Sequence, residues 1–583
     1  MKRKSIDLNG PWLFLPDFYG EGDDATFHAP EWDDSGWLPV SVPSEFGTCL
    51  PELEFYEGVG WFRRRAVIPA EWTSKHVVLR FEGVNQRARV WVNGELVGEN
   101  FDSFLPFEFP VSSLLKYGEE NVLVVRADNT RHAEDVPGEQ RGWRTTGGIL
   151  RDVCLVASDP LHLGHVAILA DVDGKLKITA AVSNLREASA QIELHAEVLS
   201  GDDSPCADFT SASVALPAGQ TTEIHLEGDV PDVSAWTPAS PALYAVALSL
   251  RDPGDTVDAK SYRIGFRSIE ASKGQLLLNG EPVTLLGFNR HEHSLSGGMV
   301  PDPETTRSDL EHMKAMGSNF VRLCHYPHDS SELDLCDELG LLVMDEVPLY
   351  WWAGQWEDEA IYQGKLSAAK RQVETMIRRD INHPSVIFWS VSNETSEKAP
   401  GVVEGNDTLV QLAKNLDSSR MAVHVTNHWT EVKAFDFDDV MCLNGYPAWG
   451  NRGKSNQGEY RLEDARHWWE SEMKKLHEQY PDKPILVAEF GHPSLTGTRD
   501  GVMSEEAQSA ALKAEFAGMQ AAYVCGATIW CYADHPWPGG FDFMRFITTA
   551  PYGVVAQDRK RLHACDTVER MFKKPPPSDF SEA

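Results

Sequence analysis

From about residue 275 onward this chain repeats one pattern: a short, nearly all-apolar run, often followed by an amphipathic stretch. The apolar runs fall at 283–289, 319–325, 341–347, 386–394, 423–429, 440–446, 485–491 and 527–534. Helical periodicity lies between several of them, at 304–316, 331–339, 368–380 and 505–520. A strand apolar on both faces must be covered on both, which parallel sheets with crossover helices achieve. Eight strand-then-helix units in roughly 300 residues predict a closed (β/α)8 TIM barrel. The long connection after the sixth run is expected to carry extra surface structure.

The preceding residues follow a different grammar. Alternating runs such as Val77-Val78-Leu79-Arg80-Phe81 and Ala88-Arg89-Val90-Trp91-Val92 end in turn residues, as at Asn93-Gly94. Short strands with regular turn signals predict a jelly-roll β-sandwich over 1–158. A second β-rich segment, 159–270, has the size and alternation of an immunoglobulin-like sandwich, as in Ile192-Glu193-Leu194-His195-Ala196-Glu197-Val198. The barrel is assigned 271–583, with the proline-rich tail at 575–579 expected to fray.

Bulk properties narrow the partners. The formal net charge of −35 repels polyanions, so neither nucleic acid nor an anionic membrane is expected as a partner. There is no apolar run of about 18 residues to cross a membrane, and no apolar h-region follows the basic start. Nine cysteines, scattered without a CxxC pair, read as inert reduced thiols rather than a zinc site. The expected compartment is the cytoplasm, with no cofactor. Homo-oligomerisation stays open.

Barrel enzymes build their sites from the C-terminal strand ends, and here those ends are polar. They carry His291, Arg322 and His325, Asp345-Glu346, Asn393-Glu394, Asn427-His428, Asn444 and Tyr446, Glu489, and Trp530. Glu394 and Glu489 close strands four and seven, nearly across the barrel mouth. Glycosidic cleavage needs such a pair, one carboxylic acid to protonate the leaving oxygen and one carboxylate to attack carbon. Arg322 and Tyr446 can stabilise one carboxylate, assigned to Glu489 as nucleophile, with Arg322 expected to keep its pKa low. Glu394 then needs a raised pKa as general acid. Asn393 is placed to grip a sugar 2-hydroxyl, and Trp530 to floor the ring. Trp389, mid-strand, reads as core.

The run Asn382-His383-Pro384-Ser385-Val386-Ile387-Phe388-Trp389-Ser390-Val391-Ser392-Asn393-Glu394 resembles the acid/base signature of glycoside hydrolase family 2. Leu8-Asn9-Gly10-Pro11-Trp12, Gly60-Trp61-Phe62-Arg63-Arg64 and Trp91-Val92-Asn93-Gly94 are similar to that family's jelly roll. Gly287-Phe288-Asn289-Arg290-His291-Glu292 and Cys324-His325-Tyr326-Pro327 are similar to its first barrel strands. The family contains β-galactosidases, β-glucuronidases and β-mannosidases. The resemblance implies Glu394 as acid/base and Glu489 as nucleophile, with His291, His325, Asn393, Tyr446 and Trp530 lining the glycone site; Asn444 joins them from its strand end.

Departures bear on the substrate, expected to be an oligosaccharide or glycoside. Val347-Pro348-Leu349-Tyr350-Trp351-Trp352 lacks the Glu-x-His magnesium pair of the large β-galactosidases, so no metal is expected. Thr548-Thr549-Ala550-Pro551-Tyr552-Gly553 lacks the Asn-x-Lys pair of β-glucuronidases. Gly142 stands where many members carry a jelly-roll Asp, flanked by Arg141 and Arg144. The expected activity is retaining exo-β-glycosidase on β-galactosides. The alternative is an acidic or substituted sugar, such as a glucuronide or galacturonide, held by Arg141 or Arg144. Two other classes compete: a metal-dependent barrel hydrolase using His291, His293, His428 and Asp534, and a non-catalytic carbohydrate-binding protein.

Overall fold

The computed structural model describes residues 3–352, 358–450, 462–537 and 548–573. The tail at 575–579 and part of the connection after the sixth strand lie outside the described residues.

The N-terminal jelly roll packs two antiparallel sheets face to face. A four-stranded sheet is ordered Lys4–Asp7, Val153–Ser158, His76–Phe81, Phe107–Pro110. It faces a six-stranded sheet centred on Val59–Val67 and Glu120–Asp128. Alternate residues, among them Val77, Leu79, Phe81, Leu123 and Val125, are fully buried between the two. A second sandwich follows, with Lys175–Asn184 central to one sheet and Ala190–Leu199 paired to Tyr244–Asp252 in the other. Its core comes from the same alternation, with Ile192, Leu194, Ala196 and Val198 all inward.

The barrel runs β1 (Leu285–Arg290), α1 (Pro303–Ala315), β2 (Phe320–Leu323), α2 (Ser330–Leu339), β3 (Leu342–Glu346), α3 (Glu359–Asp380) and β4 (Val386–Asn393). It continues with α4 (Val402–Leu416), β5 (Met421–Thr426), β6 (Met441–Asn444), α5 (Pro447–Gly450), α6 (Leu462–Gln479), β7 (Ile485–Phe490), α7 (Glu505–Ala517), β8 (Val524–Ile529) and α8 (His563–Lys573). All eight strands are parallel, and β8 pairs back to β1. Helix starts follow the capping rule: Asp302, Asp329, Asp358 and Ser504 each accept a backbone N–H from the first turn. The floor is filled by Leu285, Phe320, Met344, Phe388 and Leu486, sealed from below by Ile269, Leu276 and Leu278 of a small hairpin. Trp389 points outward into the strand–helix layer, fully buried, and donates to Asp417 (2.9 Å).

Several boundaries differ from the sequence pattern, three of them for a visible reason. β8 begins at Val524 rather than 527, because Gly526 shows no apolar side chain to count. In the fold a Cβ at 526 would lie 2.5 Å from the Leu285 carbonyl, so the approach to β1 demands glycine. β5 ends at Thr426 rather than 429, where the Thr426 hydroxyl takes the His428 N–H and turns the chain. α3 starts well before 368, anchored by its Asp358 cap.

Candidate active site

Arg322 ends β2 with its side chain fully buried, beside Asn289 in the β1–β2 register. Burial of a guanidinium is tolerated because every edge of it is used. It donates to Glu346 through Nη2 (2.7 Å) and Nε (3.1 Å), to Glu489 Oε1 (2.7 Å), to Asn393 Oδ1 (2.7 Å) and to Asn289 Oδ1 (3.0 Å). One cation therefore ties the ends of β1, β2, β3, β4 and β7 together.

The two glutamates have unlike surroundings. Glu489 Oε2 accepts the Tyr446 hydroxyl at 2.5 Å while Oε1 takes Arg322. Glu394 follows β4 with φ +48°, in the left-handed region that a side chain of its size rarely adopts. It accepts from Asn444 Nδ2 on Oε1 and from Trp351 Nε1 on Oε2, both at 2.9 Å, and neither donor is charged. Burial first, and the Glu489 charge second, push Glu394 up to about 7. Burial also raises Glu489, against the pull of Arg322 and Tyr446, so the expectation of a low pKa there is corrected: desolvation outweighs the ion pair. Two coupled carboxyls titrate as a unit, and the first proton settles on the one that lacks a cation, Glu394.

Around this pair stand the rings. His325 holds Glu346 through Nδ1 (2.8 Å) and stacks on Trp530 at 5.1 Å between centroids; its Nε2 lies 3.8 Å from Glu489 Oε1. His291 bonds the Tyr326 hydroxyl (3.1 Å) and packs edge-on to Trp530. Burial lowers His325 to about 4 and His535 to about 3, and takes His291 well below its ordinary value, so the imidazoles are neutral. Asn444 bridges Asn393 (3.1 Å) and Glu394. His291, Arg322, His325, Asn393, Glu394, Asn444, Tyr446, Glu489 and Trp530 thus share one end of the barrel.

Arg141 does not join them. It is buried and spends its guanidinium on the Gly138 carbonyl (2.6 Å) and Gln86 (3.2 Å) inside the jelly-roll loop. Its neighbour Trp143 reaches the site instead, 6.1 Å from both His291 and His325 and 5.3 Å from Tyr350, between ring centroids. A Cβ at Gly142 would lie 2.5 Å from the Tyr350 hydroxyl, so the Tyr350 ring occupies the place a side chain there would take. Sequence reading passed over Trp143, Trp351 and His535 and saw Glu346 only as a polar strand end. The Tyr350-Trp351 pair at the end of an apolar run was the available signal.

Family models for the glycosyl hydrolases family 2 sugar binding domain, for glycosyl hydrolases family 2, and for the glycosyl hydrolases family 2 TIM barrel domain match residues 7–159, 162–267 and 269–539. The chain belongs to glycosyl hydrolase family 2. It spans about half the length of several curated relatives, among them a β-galactosidase of Thermoanaerobacter pseudethanolicus, 31% identical over 434 residues (72% of this chain, 55% of the relative). A β-glucuronidase of Rattus norvegicus is 27% identical over 570 residues, covering 90% of this chain and 84% of the relative. The crystal structure of Ruminococcus gnavus β-glucuronidase shares the fold, with a TM-score of 0.88, 23% identity and 98% of each chain covered.

Among the described residues of this family 2 chain, three clusters have the ligand spacing of a cation site. Glu292, His328 and Glu332 are already compensated, Glu292 by Arg151 (2.9 Å) and Glu332 by Arg290 (2.8 Å). Asp337 is bonded to His383 (2.7 Å) and Asp334 to Arg263 (2.8 Å). In the third, with His291 and His325, burial pushes the Cys324 thiol well above its ordinary range, which disfavours the thiolate a metal needs. Among the described residues, His428 and Asp534 join neither His291 nor His293 in such a group. His428 lies 3.6 Å from Glu397, and Asp534 accepts the Gly553 N–H. No helix among the described residues is long and apolar enough to cross a membrane.

Proposed function

We propose that this protein is a retaining exo-β-glycosidase acting on β-galactosides, with Glu489 as nucleophile and Glu394 as acid/base. The observation that carries this reading is the asymmetry of the pair. One buried carboxylate is held by a cation and a phenol; the other, without a cation, is pushed to about 7. In the first step Glu394 gives its proton to the glycosidic oxygen while a Glu489 oxygen attacks the anomeric carbon, and the aglycone leaves as an alcohol. In the second, Glu394, now ionised, takes a proton from water, whose oxygen bonds to carbon as the Glu489 ester breaks. The Arg322 and Tyr446 donors stabilise the departing carboxylate. Replacing Glu489 by Ala should abolish turnover, with azide restoring it as an inverted glycosyl azide. Replacing Glu394 by Ala should spare only substrates with good leaving groups; an exchange of these two behaviours would overturn the roles.

Among the described residues, a neutral glycone is supported by the pairing of the nearby arginines. Arg144 is bound to Glu45 and Glu54, Arg151 to Glu292, and Arg290 to Asp309 and Glu332, so none of these is free for a sugar carboxylate. The β-glucuronidase relatives favour the competing reading of an acidic sugar. A panel of nitrophenyl β-glycosides separates the two: highest kcat/KM on the galactoside supports the proposal, and on the glucuronide or galacturonide refutes it.

A further inference from the structure

Glu515 sits in the last turn of α7, wholly buried, and the chemistry above makes no use of it. Among the described residues no cation pairs with it, and burial pushes its carboxyl well above the ordinary range, so it is a neutral acid. A leucine would occupy such a place with less desolvation cost, so the polar group calls for an explanation in what it holds.

It holds the loop that carries Tyr446. Its Oε1 accepts the Ala448 backbone N–H at 2.8 Å. Ala448 belongs to α5, a single turn that begins immediately after Tyr446. So short a helix cannot satisfy its own first N–H groups, and one of them is tethered to α7. On the other side of Tyr446, the Gly445 N–H donates to the Glu489 carbonyl (3.0 Å), and a Cβ at Gly445 would lie 2.6 Å from the Trp469 ring. Tyr446 is therefore suspended between two fixed points, one on β7 and one on Glu515. At Ala448 the apolar contacts of α5 are with Ala465 and Ala511, with Leu462 packed beside them.

We infer that Glu515 is a positioning residue: its bond to Ala448 fixes α5 and so keeps the Tyr446 hydroxyl on the Glu489 carboxylate. The inference rests on Glu489 being the nucleophile. Three variants test it beside Tyr446→Phe, all on the full chain with kcat/KM measured across pH. Loss of the tyrosine hydrogen bond should lower kcat/KM about tenfold to a hundredfold and move the acidic limb to higher pH, because Glu489 then holds its proton more tightly. Glu515→Leu should reproduce the direction of that shift, and Glu515→Gln, which keeps an acceptor oxygen, should restore the wild-type profile. Ala448→Pro removes the donor without touching the buried acid, and decides the matter should the leucine variant not fold. In the Glu515→Leu, Tyr446→Phe double variant, or its Ala448→Pro counterpart, the two losses should not add. Additive losses, or an unmoved acidic limb in the leucine and proline variants, overturn the inference alone. An unmoved limb in Tyr446→Phe removes the Glu489 reading along with it.

Discussion

Glu394 concentrates two costs in one residue: a left-handed backbone and a carboxyl pressed into a water-poor pocket beside another acid. Both oppose folding and both suit the general-acid role proposed for it, which needs a proton held near neutrality. A carboxyl raised in the folded state contributes stability that is fully present below its unfolded value, 4.5, and lost as pH rises through about 7. Glu394→Gln should therefore melt at the same temperature as the parent near pH 4.5 and at a higher one at pH 8. That shift corresponds to about 3 kcal/mol as an order of magnitude. Equal melting temperatures at pH 8 would show that the site does not strain the acid. Both glutamates were legible in the sequence, because reactivity demands their residue type at strand ends. The net raised state of Glu489 was not, since desolvation depends on everything packed around it.

At the scale of elements, β2 contributes four residues to the barrel and the side chain on which its mouth depends. Arg322 neutralises Glu346 and Glu489 in a region with no solvent to replace it. Arg322→Ala leaves those carboxylates buried and uncompensated, and should cost about 3–5 kcal/mol in the unfolding of the barrel, read by denaturant titration. Activity should fall with it, and Arg322→Lys should recover stability only in part, because an ammonium cannot span the Asn289, Glu346, Asn393 and Glu489 positions together. An alanine variant as stable as the parent would remove the network from the account. Much of the strand and helix order could be read from apolar runs and amphipathic stretches, because parallel strands and their cover helices obey strict periods. The ends of β5 and β8 could not, because Thr426 turns one strand by a side-chain bond and Gly526 hides the start of the other.

Across the whole molecule, the jelly roll forms part of the candidate pocket. Trp143 enters from it, and Arg151, also on the jelly roll, crosses to Glu292 (2.9 Å) and to the Pro327 carbonyl (2.7 Å) next to Tyr326. Arg151→Met should lower the melting temperature and raise KM more than it lowers kcat, as the Trp143–Tyr326 wall loosens around the glycone. A variant with unchanged KM would confine Arg151 to a structural role.

The sequence by itself determined the architecture and the placing of Glu394 and Glu489 at one rim, since burial periodicity acts on residue type at a given spacing. Only the tertiary structure decided that Arg141 turns inward while Trp143 takes its place, that Glu346 stands behind Arg322, and that desolvation overrides the ion pair at Glu489. Those outcomes depend on distances between segments far apart along the chain, which local pattern does not encode.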